Sequence, residues 1–325
     1  MGCVVHLGFE SHTIIHMKKI LSLSILVLVT ASCTKPEPEP TPEKYITDDL
    51  VVTEDQKAFL IETTGTWCQY CPNGAALMLK EQRRYNIDGD SNIRVIGFAS
   101  HTGDLLETPV QTLLNNAFPT SGVPNFYVNN ADAGQSIAGP TAAALSGTPV
   151  VGVAHVHHEN ATGDTVIVDV KVQFFEDSKN TSYFVQSYLL ATGIEAREYT
   201  VNGMPVNLNQ VSSVPIVTTG SGVTPSTWAV DTVGKKSGDI YTHDHIPVIS
   251  GVTDFEWGVT LDTVNPLGRS YFKGDIFGSK YTPIQIKLPK ILPSVPGVEY
   301  EVVTIIWSER FDGTAGVLFV NGYEG

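Results

Sequence analysis

Residues 64–74 read TGTWCQYCPNG and place two cysteines, Cys68 and Cys71, two residues apart. Thiols at that spacing can close on each other as a disulfide, exchange with a third thiol, or supply half of a tetrahedral metal site. The rest of the chain narrows the choice. Only two further cysteines exist, Cys3 and Cys33. Both fall outside the expected folded body, so four thiolates from one chain cannot assemble a zinc site. A redox pair and a small structural disulfide remain open.

Other residue types with chemical reach lie further on. His155 and His157 alternate and would share a strand face, as would His243 and His245. Neighbouring strands would let four imidazoles bind zinc or copper, with His158 beside them. Nothing in the sequence pairs those strands, and no metal site is assigned. No nucleophile elbow with Ser, His and Asp partners appears. TGSGVTPS (219–226) lacks the strand–helix frame of a phosphate loop. Asp164-Thr165-Val166, Asp231-Thr232-Val233 and Asp262-Thr263-Val264 resemble a short acceptor pattern for O-glycosylation in Bacteroidetes envelopes, and also read as ordinary turn-to-strand sequence.

The chain has 325 residues, enough for two domains with real cores. Its formal net charge of −14 argues against nucleic acid as a partner, because phosphate binding needs a basic surface. Met17 opens MKKILSLSILVLVTASC, with a positive start at Lys18 and Lys19 and an apolar run too short to span a bilayer as a mature helix. Ala31 and Ser32 lead into Cys33 and resemble a bacterial lipobox, although Thr30 stands where Leu is usual. Residues 17–32 then read as a lipoprotein signal peptide and Cys33 as the lipidated residue. Residues 1–16 read as an upstream mis-called start. Residues 33–44 follow as a Pro/Glu-rich tether, which cannot form a core and extends by self-repulsion. The expected location is the cell envelope, on the outer membrane, facing the periplasm or the surface.

The elements that must position the cysteines begin at Lys57. KAFLIET (57–63) is a short apolar run of buried-strand type, broken by Gly65. Residues 71–85 read as a helix, with Pro72 suited to its first turn and Ala75, Met78 and Leu79 facing the core. NIRVIGFAS (92–100) is a second strand and 108–118 a second helix. Gly122-Val123-Pro124 precedes a third strand, NFYVN (125–129), and 140–145 a closing helix. Alternating strands and helices imply an α/β unit over 45–148.

This arrangement resembles thioredoxin-like proteins. Trp67 precedes Cys68 as in the WCxxC of that superfamily, and the pair lies between a strand and a helix start. Val123-Pro124 stands before a strand where the superfamily has its cis-proline. Glu62, six residues before Cys68, occupies the place of the buried carboxylate. The resemblance implies that Cys68 is the nucleophile and Cys71 the resolving thiol. It implies that Glu62 moves the proton of Cys71, and that Trp67, Val123 and Pro124 border the substrate site. It requires no cofactor beyond the Cys68–Cys71 disulfide. Gln69 and Tyr70 would tune the couple, and His101 would either face the site or lie solvated in its loop. A redox-idle fossil pair remains the alternative.

From residue 149 the character changes. Residues 150–158, 165–175 and 182–192 are rich in Val, Tyr and Phe, and TVIVDVKVQFF alternates as a strand with one wet face does. Further strands are expected at 257–261, 282–288, 299–307 and 317–320. An all-β, sandwich-like domain over 149–325 is the reading. Taken whole, the lipobox, GTWCxxCP, YTHDHIPV (241–248) and a terminal VNGYEG resemble the Bacteroidetes outer-membrane lipoproteins related to the 28-kDa outer-membrane protein. That resemblance implies a surface binding protein or adhesin, whereas the motif implies a thiol–disulfide oxidoreductase. Expected partners are envelope protein thiols and disulfides, a redox partner, and the membrane through the lipid anchor.

Overall fold

The computed structural model describes residues 44–87, 93–201, 203–213, 216–217, 226–229, 232, 234–253, 255–290, 297–309 and 317–325. The expected signal peptide, Cys33, the tether up to residue 43, and Asp231 and Val233 of the second glycosylation pattern lie outside them. Lys44–Gly325 is one compact unit. It is mostly β-sheet with few helices.

Its first part follows the order β1 (Ala58–Thr64), α1 (Cys71–Tyr85), β2 (Val95–His101), α2 (Pro109–Ala117), β3 (Asn125–Val128), β4 (Ala131–Gly134) and α3 (Ala138–Leu145). The strands form one mixed sheet in the order β2-β1-β3-β4, with β1 parallel to β2 and antiparallel to β3. Every residue of β1 and β2 is buried, which explains runs apolar on both faces rather than alternating ones. Phe59 and Ile61 pack toward α2, while Ala58 and Leu60 pack toward Met78 of α1 and Leu145 of α3. Thr108 caps α2 by accepting the Gln111 N–H, and Pro109 takes its first turn.

Two larger antiparallel sheets, with several two-stranded ribbons, make up the rest of the described residues. One is centred on β6 (Thr165–Phe174), flanked by β5 (Val151–Glu159), Gln285–Pro289 and Ile276–Phe277. The other runs Ile246–Ser250, Tyr183–Thr192, Glu299–Glu309, Val317–Glu324, with Val259–Thr260 also paired to Tyr183–Thr192. Val168, Val170 and Val172 of the first sheet share a core with Val185, Leu189, Val302 and Ile306 of the second. The other face of that second sheet is buried too. Tyr188, Leu190, Val303, Ile305 and Trp307 pack on Phe59, Ile61 and Phe98 of the mixed sheet. Alternation along Glu299–Glu309 therefore sends side chains into two different cores. The first and second halves of the chain are welded through a layer of aromatic rings, in which Phe59 stacks on Phe319 at 5.1 Å and meets Trp307 edge-on at 5.8 Å.

The expected strands differ at their ends, and strands not expected from the sequence are present, among them Ile246–Ser250 in the second sheet and the Glu198–Val201/Met204–Asn207 ribbon. The strand expected at 257–261 is only two residues, Val259–Thr260, before a short helix at Leu261–Val264. The last strand runs on to Glu324 because it pairs along the long Glu299–Glu309 strand.

Candidate functional site

β1 ends at Thr64, and Gly65 allows Trp67 to fold back over it; a Cβ at residue 65 would come within 2.8 Å of Trp67 Nε1. The chain then turns tightly. Cys68 N–H donates to Gly65 O at 3.1 Å, and Cys71 N–H to Cys68 O at 3.4 Å. Cys71 is the first residue of α1 and Pro72 follows, so the helix starts one turn after Cys68. No side chain caps this end and no acidic residue lies in its first turn. The positive end of the helix dipole is thus left to the sulfur of Cys68. Cys68 and Cys71 are joined in a disulfide, with Cα atoms 5.4 Å apart.

Around this pair the structure gathers the residues singled out in the sequence. The Val123–Pro124 bond is cis, and Val123 O lies 3.7 Å from Cys68 Sγ. Trp67 is 53 % exposed, and its Nε1 donates to Thr102 O at 2.9 Å. A groove lined by Trp67, Thr102, Asn115, Gly122 and Val123 opens beside Cys68. Gln69 and Tyr70 sit between the cysteines, Tyr70 exposed.

Glu62, on β1, faces α1 at Gly74, three residues past Cys71, and is 1 % exposed. Its Oε1 has no hydrogen-bond partner among the described residues. Burial pushes its carboxyl up from 4.5 to about 8, a hydrogen bond with Thr64 opposing. Gly74 of α1 makes the approach possible, since a Cβ there would collide with Glu62 Oε1 and come within 2.9 Å of Pro124. A cavity of ≈ 40 Å³ adjoins Glu62, lined also by His101, Lys235, Tyr241, His243 and Asp244. That is room for a few waters. Lys235 Nζ lies 3.5 Å from Asp244 Oδ2, and both side chains are partly exposed, so the cavity is bounded by groups that reach solvent.

Asp104 and Tyr241 carry no sequence signal as site residues, and His101 takes the first of its two expected placements, lining the cavity beside Glu62. His101 is 2 % exposed, not a solvated loop histidine, because it ends a fully buried strand. Its Nδ1 lies 2.8 Å from Asp104 Oδ2. Asp104 also accepts Thr66 N–H at 2.6 Å and Leu106 N–H at 2.8 Å. Burial pushes the Asp104 carboxyl up, but His101 and the two amides win and hold it at about 2. Asp104 therefore ties the loop before Cys68 to the end of β2. The His101 and His243 rings meet at 5.5 Å. Burial, reinforced by His101, lowers His243 to about 4, and Leu208 O, 2.9 Å from its Nε2, opposes. Burial raises Tyr241 well above its ordinary value, with the charges of Glu62 and Asp244 adding to the effect.

The two histidine pairs are not brought together. His155 and His157 lie on β5, and His155 Nδ1 is 2.9 Å from Thr304 Oγ1. His243 sits in a two-stranded ribbon with Ile194–Glu195, and His245 Nδ1 lies 3.4 Å from Glu301. Among the described residues no group of three or more His, Cys, Asp or Glu is placed to hold a metal ion.

No family model matches the chain, and no curated protein is similar to it. Among solved structures it is similar to HBP35 of Porphyromonas gingivalis, at a TM-score of 0.51 and 16 % identity, over 84 % of this chain and 76 % of that one. At that identity the likeness is one of fold.

Proposed function

We propose that this chain is a thiol–disulfide oxidoreductase of the cell envelope, with a thioredoxin-like domain carrying Cys68 and Cys71 and a β-rich half that docks protein substrates. One observation carries the reading: the helix that starts, uncapped, at the Cys68–Cys71 disulfide packs its Gly74, three residues past Cys71, on the buried carboxyl of Glu62, which is held at about 8. A structural disulfide has no use for that carboxyl, whose burial costs stability whenever it ionises. Exchange chemistry does use it. Cys68 attacks as a thiolate, stabilised by the helix start. Cys71 must then lose its proton to displace the mixed disulfide, and a carboxyl with a pKa near neutrality accepts it and later returns it. Trp67 and Val123 flank the approach to Cys68, where an extended substrate segment would lie.

Anchoring follows from the sequence. Lipid on Cys33 and an extended tether would hold the folded unit off the outer membrane, as in the lipoproteins related to the 28-kDa outer-membrane protein. Envelope proteins with exposed thiols or disulfides, and a redox partner that resets the couple, are the partners this chemistry needs.

The test is exchange with a protein substrate. With reduced glutathione present to re-reduce the Cys68–Cys71 disulfide, the full chain should reduce a disulfide-bonded test protein catalytically, and Cys68→Ser should abolish this. A disulfide that resists reduction, or thiols that stay inert, refutes the enzyme and moves the search to surface binding by the β-rich half. Labelled fatty acid incorporated into the wild type and lost in Cys33→Ala tests the anchor separately.

A further inference from the structure

Residues 208–213 (LNQVSS) belong to no strand or helix, yet they run alongside the turn that holds the cysteines. Val211 N–H donates to Thr66 O at 2.8 Å and Ser213 N–H to Gln69 O at 3.0 Å. Between them Gln210 is 1 % exposed. Its Nε2 lies 2.9 Å from Cys68 O, 3.2 Å from Gly65 O and 2.9 Å from Val211 O. All three neighbours are carbonyl oxygens, so the amide nitrogen, which alone can donate, is the end that faces them. Four carbonyls of the loop, at Gly65, Thr66, Cys68 and Gln69, are thus held by one segment of the second half. That segment is itself fixed. Leu208 is buried with Leu106, Ile194, Tyr199 and Ile246, its N–H donates to Arg197 O at 3.0 Å, and its carbonyl oxygen lies 2.9 Å from His243 Nε2.

This matters when the sulfur–sulfur bond is open. In the disulfide form the cross-link itself restrains residues 68–71. In the reduced and mixed-disulfide forms only non-covalent ties do, and the reach of Cys71 for Cys68 then depends on them. We infer that Gln210 is a positioning residue for the Cys68–Cys71 couple: by holding the carbonyls on both sides of Cys68, it keeps the opened loop in the shape that returns to the disulfide. The inference rests on the proposed redox reading.

Glutathione serves as the probe. Cys68 thiolate attacks glutathione disulfide, forming a Cys68–glutathione bond and expelling one glutathione thiolate. Cys71, having given up its proton, attacks Cys68 Sγ, forms the protein disulfide and expels the second thiolate. Two electrons pass from the dithiol to glutathione disulfide, and two glutathione thiols result. Gln210→Met keeps the length and bulk of the side chain but donates nothing. In the full chain, acid-trapped and resolved by mass over a series of glutathione ratios, the ratio of protein disulfide to mixed disulfide should fall roughly tenfold in this variant, the size expected when one loop residue regains its backbone freedom. The rate at which Cys68 first reacts should be unchanged. Amide exchange in the wild type gives a reading without a substitution: Val211 and Ser213 N–H should stay protected after reduction. An unchanged ratio in Gln210→Met, or loss of that protection on reduction, overturns the inference. A wild type that never equilibrates with glutathione instead overturns the redox reading, and the inference with it.

Discussion

Glu62 gives the sharpest test, because its environment sets both a sign and a size. Its carboxyl is buried, and burial lifts it from 4.5 to about 8. Below 4.5 the carboxyl is protonated in both the folded and unfolded chain. Between 4.5 and about 8 the folded state holds a proton that the unfolded state has lost, so stability falls as pH rises. Above about 8 both are ionised and the loss is complete. At about 1.4 kcal/mol per pH unit, that span is worth on the order of 5 kcal/mol. Glu62→Gln keeps the shape and has no charge to acquire. Denaturant unfolding of wild type and Glu62→Gln, with the disulfide intact, should therefore give a difference that grows with pH from 5 to 9. The variant should be the more stable at the alkaline end by several kcal/mol. Other titrating groups cancel in the difference, with the exception of those coupled to Glu62, of which buried Tyr241 is one. A difference independent of pH would refute the raised carboxyl, and with it the proton-transfer role assigned to Glu62.

In the redox assay, Glu62→Gln should slow resolution of the mixed disulfide near neutrality while sparing the first attack by Cys68, which trapping at short times would resolve. Cys71→Ser should accumulate a stable Cys68 mixed disulfide, visible as a mass increase; free turnover in that variant would remove Cys71 from the mechanism. Gly74→Ala should destabilise by about 1–3 kcal/mol through overpacking against Glu62 and Pro124, although alanine favours helix by up to about 1 kcal/mol; a net gain on thermal melting would show that the carboxyl moves aside. Trp307→Ala should cost about 3–5 kcal/mol in denaturant unfolding, because the ring is fully buried among Phe59, Phe118 and Phe319 and its Nε1 donates to Tyr188 Oη.

The parts of the site that local sequence carries were readable in advance. The strand–turn–helix around Cys68 was legible because an apolar run, a glycine and a first-turn proline follow one another within a few residues. The cis Val123–Pro124 bond and the burial of Glu62 could be expected only by resemblance, since neither leaves a local trace. Of the two placements the sequence leaves open for His101, the buried one follows from β2 pairing along its whole length with β1, a long-range fact. Asp104 carries no signal, since an aspartate three residues past a strand reads as a turn. Gln210 and Tyr241 were invisible for a stronger reason. They lie well over a hundred residues beyond the cysteines, in stretches without the periodicity of a strand or helix, and only the folded chain brings them to Cys68 and Glu62.

These distant contacts bear on what the second half is for. An appended binding module would leave the CxxC loop with its own supports and touch it little. Here the chain past residue 190 supplies the amide that holds Cys68 O, the tyrosine and histidine beside the carboxyl, and the Lys235–Asp244 pair at the edge of the cavity. The aromatic layer on Trp307 further fixes the sheet that carries Glu62 to the sheet between the two cores. Deleting or swapping the second half should accordingly change the chemistry of the dithiol as well as its choice of partner. Separate domains that merely share a tether would not behave so, and that difference makes the second half part of the proposed redox site.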